Sequence, residues 1–396
     1  MSIRVPLHDP DFYLADPYPA YQQLRREAPV YWHPEGGWWA LSKYEDVRFV
    51  SIHPELFTST QGVIIPDEGA ITPDNLDLML FTDPPRHREL RTLMKDRFTP
   101  RQVVRYEPRI RAIARQLVDG LARGSVVDFA DKIAAPLPTV VIAELVGAPS
   151  EDWEKFRAWS DAVVGYDDPD APLHRDDAQL ALHEYFTALI EARREEPRDD
   201  LISSLLASEL DGQKLGWNDL YNFCWLLLIA GNETTRNLIS LGTIALLSHP
   251  EALQKLIDDP KLIPSAVEEM LRWANPVTHM ARMATRDVEI RGQKILKGQR
   301  VVMLYGSANR DEEIFGSDAE SFDVTRNPNP HIQFGFGEHV CIGAALARLE
   351  ARIMFEELMP VLASASLAGD VTRVRSTMIP GVRHLPIQFA AETATA

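Results

Sequence analysis

The sequence predicts a mainly α-helical protein with a small β portion. Apolar residues recur at helical spacing over about two hundred residues from His87 onward. One later stretch is long enough for a single helix of about 30 residues, or roughly 45 Å. Segments with β-type alternation are short and lie near the amino terminus and in the last third of the chain. We expect one domain over residues 1–396, because no repeat, low-complexity stretch or flexible linker divides the chain.

The first elements are a strand hairpin and a long loop. VYWHPEGGWWALSKYEDV alternates apolar and polar residues around Gly36-Gly37, which is typical of a hairpin. From Thr58 to Pro85, scattered prolines and the lack of a sustained period predict an irregular loop, and loops of that length are usually functional. The helical segments that follow are HRELRTLMKDRF, EPRIRAIARQLVDGLA, LPTVVIAELVG, EDWEKFRAWSDAVVG, DAQLALHEYFTALIEARREE and DDLISSLLASEL.

The long central helix is predicted from Asn218 or Asp219 to Ser248, where Pro250 stops it. It is apolar nearly all round over residues 223–230. Because that run is too short to span a bilayer, we expect the helix to cross the protein interior. A further helix, PSAVEEMLRW, is followed by the β-like segments ARMATRDVEIRG, QKILKGQRVVMLY and RHLPIQFA.

Composition and charge exclude several classes of protein. The 396 residues carry a formal net charge of −17, from 41 Lys and Arg against 58 Asp and Glu, so nucleic acid is not expected as a partner. Two cysteines, Cys224 and Cys341, are too few for a disulfide framework or a zinc finger, which favours a reducing compartment. The amino-terminal segment has no apolar run. We therefore expect no signal peptide, no membrane anchor and a cytoplasmic location.

The most informative segment is FGFGEHVCIGAALARLE, residues 334–350. Gly335, Gly337 and Gly343 surround Cys341 and let the backbone turn tightly against a flat ligand. A helical pattern begins directly afterwards, and amide groups at a helix start stabilise an anionic sulfur. Cys341 is therefore a candidate thiolate, although a lone cysteine in a glycine-rich loop is more often structural.

The pattern F-x-x-G-x-H-x-C-x-G within this segment resembles the haem-binding loop of the cytochromes P450. The resemblance implies the cytochrome P450 fold, with a long central helix over the haem and a loop that carries the cysteine ligand. It implies that Cys341 binds the iron of haem b, and that Phe334, Gly335 and Gly343 belong to the cofactor-binding loop. The similarity extends from about residue 82 to the carboxyl terminus and, more loosely, to the hairpin.

A second match lies on the central helix, in AGNETT at residues 230–235. This hexapeptide resembles the family's oxygen-activation segment, in which an acid and a threonine follow a pair of small residues. The resemblance implies that Glu233 and Thr234 are catalytic, and that Ala230 contacts the cofactor and leaves space for dioxygen. Many relatives have Asp where this chain has Glu233, a change that keeps the carboxyl group but places it on a longer side chain. Without the resemblance, a polar interruption of a core helix would be an equally good interpretation of this segment.

Glu269 and Arg272 in EEMLRW lie three residues apart and share a helix face. Most such pairs are surface salt bridges that contribute little to stability. The pair resembles the family's E-x-x-R motif, which implies a buried structural network with Arg326 as its third member.

A haem carries two propionates, which need cationic or hydrogen-bonding partners. By resemblance these partners are His87, Arg91, Arg282 and His339. His87 and Arg91 alone, four residues apart, would suggest only a solvated helix face.

The reaction implied by the resemblance inserts one oxygen atom from O2 into a C–H bond. No flavin-binding or iron–sulfur segment is encoded, so we expect electrons from a separate ferredoxin with its NAD(P)H-dependent reductase. Arg91, Arg101 and Arg348 are the cations expected to dock an acidic ferredoxin. The alternatives are a peroxide-driven peroxygenase of the same fold, a non-catalytic haem-binding sensor, and a cysteine hydrolase that uses Cys341 with His339.

The substrate is expected to be a small lipophilic molecule, because most pocket positions implied by the resemblance are apolar. These positions are Val63, Ile65, Leu78, Leu227, Thr278 and Ile379. The segments AGNETTRN and NPNPHIQFGFG resemble bacterial branches of the family that oxidise terpenoids, alkyl chains or steroid side chains.

Overall fold

The computed structural model describes residues 3–65, 78–164, 173–210 and 212–390, and helices predominate in them. The helices are α1 (Pro10–Leu14), α2 (Tyr18–Glu27), α3 (Tyr44–Ile52), α4 (Arg86–Lys95), α5 (Pro100–Val103), α6 (Glu107–Asp119), α7 (Pro136–Val146), α8 (Trp153–Val164), α9 (Arg175–Glu195), α10 (Leu201–Ala207), α11 (Trp217–Ser248), α12 (Pro250–Asp258), α13 (Ile263–Ala274), α14 (Tyr305–Ala308), α15 (Glu312–Phe315) and α16 (Ala344–Leu362). The strands are β1 (Val30–His33), β2 (Trp38–Leu41), β3 (Phe57–Thr58), β4 (Val126–Asp128), β5 (Glu209–Leu210), β6 (Gln213–Lys214), β7 (His279–Ala284), β8 (Val288–Ile290), β9 (Gln293–Ile295), β10 (Arg300–Leu304), β11 (Ala365–Leu367), β12 (Thr372–Arg373), β13 (Val382–His384) and β14 (Pro386–Phe389). The predicted mainly helical class with a small β portion is confirmed.

Helix α11 is the axis on which the other large helices pack. It has 32 residues and contacts α7, α8, α9, α13 and α16. The Asp219 carboxylate accepts a hydrogen bond of 3.1 Å from the backbone N–H of Gly216, which caps the first turn. Buried apolar side chains run along the helix from Leu220 to Leu246. The predicted interior helix is therefore confirmed, and it begins one residue earlier than Asn218.

None of the helices within the described ranges combines the length and the hydropathy needed to cross a bilayer.

The largest sheet has five strands in the order β1-β2-β10-β7-β3. β1 and β2 form the hairpin predicted around Gly36-Gly37, with Trp32 opposite Trp39. Gly37 has a φ of 67°, which glycine adopts without the steric cost that other residues have. β10 is parallel to β2 and antiparallel to β7, and β7 carries Arg282.

The helix predicted over DDLISSLLASEL ends early. It is α10, which stops at Ala207, and Glu209–Leu210 then pairs with Gln213–Lys214 as the hairpin β5–β6. Gly212 has a φ of 74°, a conformation that suits a tight hairpin turn and cannot continue a helix. Local turn chemistry therefore overrides the helical pattern at this point.

The predicted irregular loop from Thr58 to Pro85 is only partly covered, because residues 66–77 lie outside the described residues. Thr58, where this loop begins, is the last residue of β3, and Met79–Phe81 forms one turn of 3-10 helix. The 3-10 turn packs in the helical core through Met79 and Phe81, whereas Thr58 pairs with Met283 of β7 in the sheet.

A buried ion-pair network holds the segment that precedes the Cys341 loop. The side chains of Glu269 and Arg272 on α13 have no exposed surface, and their two hydrogen bonds measure 2.6 and 2.7 Å. Arg326 Nε lies 3.4 Å from Glu269 Oε2. Arg272 also donates, at 2.7–3.0 Å, to the backbone carbonyls of Asn309, Ala319 and Ser321. These charge-assisted bonds fasten residues 309–321 to α13.

Candidate active site

A cavity lies between α11 and the loop that carries Cys341. Its volume is about 250 Å³. The α11 wall consists of Leu226, Leu227, Ala230, Gly231, Thr234, Thr235 and Leu238. Residues three or four positions apart share one face of a helix, so a single face of α11 forms this wall. The facing wall includes Phe334, Gly335, His339, Cys341 and Gly343.

Backbone hydrogen bonds and glycines shape the Cys341 loop. The Cys341 N–H donates to the Phe334 carbonyl at 2.8 Å. Gly335 and Gly337 have φ values of 72° and 68°, where other residues are strained. A Cβ atom on Gly337 would lie 2.5 Å from the Ser51 carbonyl oxygen, so a larger residue would push the loop away from α3. The loop therefore fixes Cys341 at the start of α16.

The Cys341 thiol has partners that stabilise its anion. Cys341 is exposed toward the cavity, but desolvation by the surrounding protein still raises the pKa of its thiol. The backbone N–H of Gly343, the guanidinium groups of Arg91 and Arg348 and the N–H of Ala344 act in the opposite direction. N–H groups at a helix start and nearby cations are what a cysteine thiolate requires. The surroundings of this sulfur therefore suit a thiolate ligand.

The cysteine hydrolase alternative requires a hydrogen bond between Cys341 and His339. His339 Nε2 lies 3.1 Å from Ser59 Oγ, and its ring packs on the ring of His87 with centroids 4.1 Å apart. No contact among the described residues joins this imidazole to the Cys341 sulfur. The geometry therefore does not favour a cysteine–histidine dyad.

Four basic side chains, His87, Arg91, Arg282 and His339, converge on the cavity. No described carboxylate forms an ion pair with any of them. His87 Nδ1 is buried without a hydrogen-bond partner in the part of the chain that the structure describes, and Arg282 Nη1 donates at 2.7 Å to the carbonyl of its neighbour Ala281. Burial lowers the pKa of both arginines, and it lowers the pKa of His339 to about 2. A buried basic cluster of this kind needs an anionic ligand.

Thr234 and Glu233 lie on different faces of α11. Thr234 lines the cavity, and its Oγ1 donates to the Ala230 carbonyl at 2.8 Å, as a threonine within a helix often does. Glu233 is buried away from the cavity, and its carboxyl group is bound by the Arg236 guanidinium. Burial raises the pKa of Glu233 well above its ordinary value, with Arg236 opposing the rise. Successive helix residues point about 100° apart, which separates the acid from the hydroxyl.

Glu350 on α16 is a cavity residue that the sequence analysis did not single out. It is buried, and burial raises its pKa to about 8, while a hydrogen bond with Thr235 acts against the rise. The carboxyl group is therefore mostly protonated at neutral pH. A sequence signal exists, because Glu350 interrupts the apolar stripe of Leu346 and Ile353 at helical spacing.

Of the predicted pocket positions, the structure places Leu227 on the cavity wall. The others are buried in the packing around the cavity: Val63, Ile65, Leu78, Thr278 and Ile379. Thr278 Oγ1, for example, donates to the Thr377 carbonyl at 2.6 Å and so faces the carboxyl-terminal segment. The apolar walls come instead from neighbours of these residues, namely Met79, Leu80, Val277 and Met280, together with Ile142.

Comparisons with known proteins agree with this geometry. The family model for cytochrome P450 matches residues 168–360. The methyl-branched lipid omega-hydroxylase of Mycobacterium tuberculosis H37Rv is 38% identical over 94% of this chain and 90% of its own length. The steroid C26-monooxygenase of Rhodococcus jostii RHA1 is 36% identical over 96% of this chain and 84% of its own length. The structure of Mycobacterium marinum cytochrome P450 CYP268A2 in complex with pseudoionone aligns with a TM-score of 0.90 and 36% identity, over 98% of this chain and all of that one.

The chain therefore belongs to the cytochrome P450 family, and it is a haem-thiolate monooxygenase. The family uses a haem iron cofactor, and the residues of the cavity fit that group. The basic cluster, which has no ion-pair partner among the described carboxylates, suits two propionates. The Cys341 sulfur, which lies near the N–H groups of Gly343 and Ala344, suits an iron ligand.

Proposed function

We propose that this monooxygenase hydroxylates a C–H bond of a small lipophilic substrate with a terpenoid, alkyl-chain or steroid-like skeleton. The observation that carries the proposal is the apolar wall formed by Leu226, Leu227, Leu238 and Met280 across the cavity from Cys341. Such a wall binds hydrocarbon by removing it from water and offers few polar groups to orient a charged ligand. Relatives named for a methyl-branched lipid and a steroid, and a neighbour bound to pseudoionone, support the same substrate class.

Haem b is the proposed cofactor. In this proposal Cys341 holds the iron, and the propionates pair with His87, Arg91, Arg282 and His339. Phe334, Gly335 and Gly343 of the loop and Ala230 on α11 complete the contacts. When bound, the haem supplies the activation of dioxygen, which thiolate ligation favours.

Thr234 and Glu233 are the proposed proton-supplying residues. An apolar cavity that excludes water provides no protons of its own. The Thr234 hydroxyl gives its hydrogen to the Ala230 carbonyl, so its oxygen lone pairs remain able to accept a hydrogen bond from a water or an acid in the cavity. Glu233, whose pKa burial raises well above its ordinary value, is the adjacent acid, about 100° away around the helix. Thr234 thus supplies a hydrogen-bonding group inside the cavity, and Glu233 supplies an acidic group outside it.

A screen of lipophilic compounds is expected to identify substrates among terpenoids, branched alkyl chains and steroids. Binding is measured as the change in the haem absorption spectrum, and product formation is measured with O2, NAD(P)H and a ferredoxin system. Leu227→Asn should weaken binding about tenfold, because it places an amide in the apolar wall. The control is Leu180→Asn, a change at an exposed leucine of α9. Spectral changes with polar compounds only, or faster turnover with peroxide than with ferredoxin, would contradict the proposal.

An acidic ferredoxin is proposed to dock on the side of the protein where α5 packs against α16, the helix that follows Cys341. Lys95, Arg101 and Arg105 are exposed there and have no carboxylate partner among the described residues. The other two expected docking cations are differently placed. Arg91 lines the cavity, and Arg348 is bound to Glu268 by hydrogen bonds of 2.7 and 2.9 Å.

Reduction of the protein by a ferredoxin is expected to slow as salt concentration rises, because salt screens the attraction between opposite charges. Arg101→Gln combined with Arg105→Gln should lower the rate several-fold at low salt and should flatten its salt dependence. Stopped-flow reduction kinetics measure both effects. The control is Lys294→Gln, which removes an exposed cation on the β8–β9 hairpin. A rate that does not depend on salt, or equal loss in the control, argues against this docking surface.

A further inference from the structure

A charged cluster links α13 to α16 beside the loop that carries Cys341. Arg348 donates to the two carboxylate oxygens of Glu268 at 2.7 and 2.9 Å, through Nε and Nη2. His331 Nε2 lies 3.0 Å from Glu268 Oε2, and the Gln333 N–H donates to His331 Nδ1 at 3.3 Å. Because Nδ1 accepts that hydrogen, Nε2 is the nitrogen that donates to Glu268. Glu268, Arg348 and His331 are called the α13–α16 cluster.

The cation of the α13–α16 cluster contacts the Cys341 loop. The Arg348 guanidinium carbon lies 4.5 Å from the centroid of the Phe334 ring, and the Phe334 carbonyl accepts the Cys341 N–H at 2.8 Å. The negative face of an aromatic ring attracts a guanidinium group, which stabilises this contact. Desolvation raises the pKa of the Cys341 thiol, and Arg348 is one of the cations that act in the opposite direction. The positive charge of Arg348 therefore acts on the sulfur.

The α13–α16 cluster differs from an ordinary surface ion pair. Most surface pairs contribute little, because the side chains are mobile and water screens the charges. Here the side chains of Arg348 and Glu268 are 41% and 29% exposed, and that of His331 is only 2% exposed. Two parallel hydrogen bonds orient the guanidinium group on Glu268, and the ring contact fixes it on Phe334. The positive charge is thus held in one place relative to Cys341.

Glu268 carries the opposite charge at neutral pH. Burial acts to raise the pKa of its carboxyl group, but hydrogen bonds from His331 and Arg348 lower this pKa to about 2. The carboxylate therefore offsets part of the field that Arg348 exerts on the Cys341 sulfur. Removal of either member of the pair leaves the charge of the other uncompensated.

We infer that Arg348 and Glu268 are positioning residues that together set the reduction potential of the haem iron. The inference rests on the proposed ligation of that iron by Cys341. Reduction adds one electron to the iron and its thiolate ligand, so a fixed positive charge beside the sulfur favours the reduced form and a negative charge disfavours it. The sequence analysis expected Arg348 to dock a ferredoxin. Its contacts assign it instead to the centre that receives the electron.

The inference is tested by measuring the reduction potential of variants of the haem-loaded protein against a reference dye. Arg348→Gln removes the cation, so the equilibrium constant for reduction should fall about fivefold. Glu268→Gln removes the anion, while its amide oxygen still accepts the hydrogen from His331, and it should raise that constant by a smaller factor. The double variant should lie between the two. Damage to packing would shift both single variants in the same direction, so opposite shifts identify an effect of charge.

Two further variants serve as controls. Arg352 lies one turn further along α16 and donates to Glu107 and Glu356 at 2.9 and 2.8 Å, so Arg352→Gln removes a paired cation of the same helix. It should change the reduction potential much less than Arg348→Gln. Arg348→Lys keeps the positive charge and should keep most of the wild-type potential.

Resonance Raman spectra of the ferric protein give a second readout, the iron–sulfur stretching frequency. This frequency should shift in opposite directions in the two single variants, because one removes a cation and the other an anion beside the sulfur. Equal potentials in the wild type and Arg348→Gln, shifts of the same sign in both single variants, or an equal shift in Arg352→Gln would refute the inference and leave ligation by Cys341 intact.

The proposed ligation itself fails if the reduced wild type shows no strongly red-shifted Soret band with carbon monoxide. Should one of the two single variants not fold, the other decides the question. An unchanged potential in the remaining variant, or a shift opposite in sign to the one expected, then refutes the inference.

Discussion

Replacement of Cys341 by histidine is expected to abolish the strongly red-shifted Soret band of the reduced carbon monoxide complex, together with all monooxygenation. The thiolate sulfur donates electron density to the iron, and an imidazole does not replace this donation. Absorption spectra of the reduced protein under carbon monoxide measure the first effect, and product analysis measures the second. Survival of the band in Cys341→His would overturn the assignment of the ligand.

The control for this experiment is Cys224→Ala. Cys224 is completely buried in the helical core and does not line the cavity. Its replacement should leave the spectrum unchanged, with only a modest loss of stability from the smaller side chain. The comparison separates the chemistry of the Cys341 sulfur from any general effect of removing a cysteine.

Thr234→Ala is expected to keep consuming NAD(P)H while releasing mostly hydrogen peroxide in place of product. The Thr234 hydroxyl is a polar group that α11 presents to the cavity beside the small pair Ala230 and Gly231. Without this hydroxyl, protons are expected not to reach the oxygen that must receive them. We expect product per NAD(P)H to fall by about a hundredfold, the lower range for loss of a general acid–base group. Product and peroxide are quantified in the same reaction.

Two variants serve as controls for this experiment. Thr243→Ala removes another buried hydroxyl on α11 that lies outside the cavity lining, and it should not change the yield. Thr234→Ser keeps the hydroxyl and should restore coupling. A wild-type yield of product from Thr234→Ala would show that this hydroxyl has no part in proton supply.

The extent of α11 was predictable to within about a residue, because its signals are local. Pro250 stops the helix, Asp219 caps its first turn, and the apolar run from residue 223 to 230 could only be buried. The β5–β6 hairpin was not predicted, because the residues before Gly212 have the apolar spacing of a helix. The chain reverses at this single glycine, which the helical pattern does not reveal.

The residues of the site were predictable from the sequence, but their arrangement in space was not. The basic residues His87, Arg91, Arg282 and His339 come from three distant segments, and no periodicity in the sequence predicts that such segments meet. They were predicted from the family resemblance, and in the structure they line one cavity. The directions of side chains were not predictable. Helical geometry separates Glu233 from Thr234 by about 100°, but only tertiary packing decides which of them faces the cavity. Thr278 and Ile379 belong to segments near the cavity, yet they face the packing behind it.

The arrangement of α11 has a consequence for how this enzyme can diversify. One face of the helix carries the apolar wall at Leu226, Leu227 and Leu238, while Glu233 and Arg236 project toward α8 on another. A mutation on the first face reshapes the cavity without touching the charged groups on the second. Selection for new substrates, in nature or in the laboratory, can therefore change residues on the first face of the helix while those on the second face stay the same.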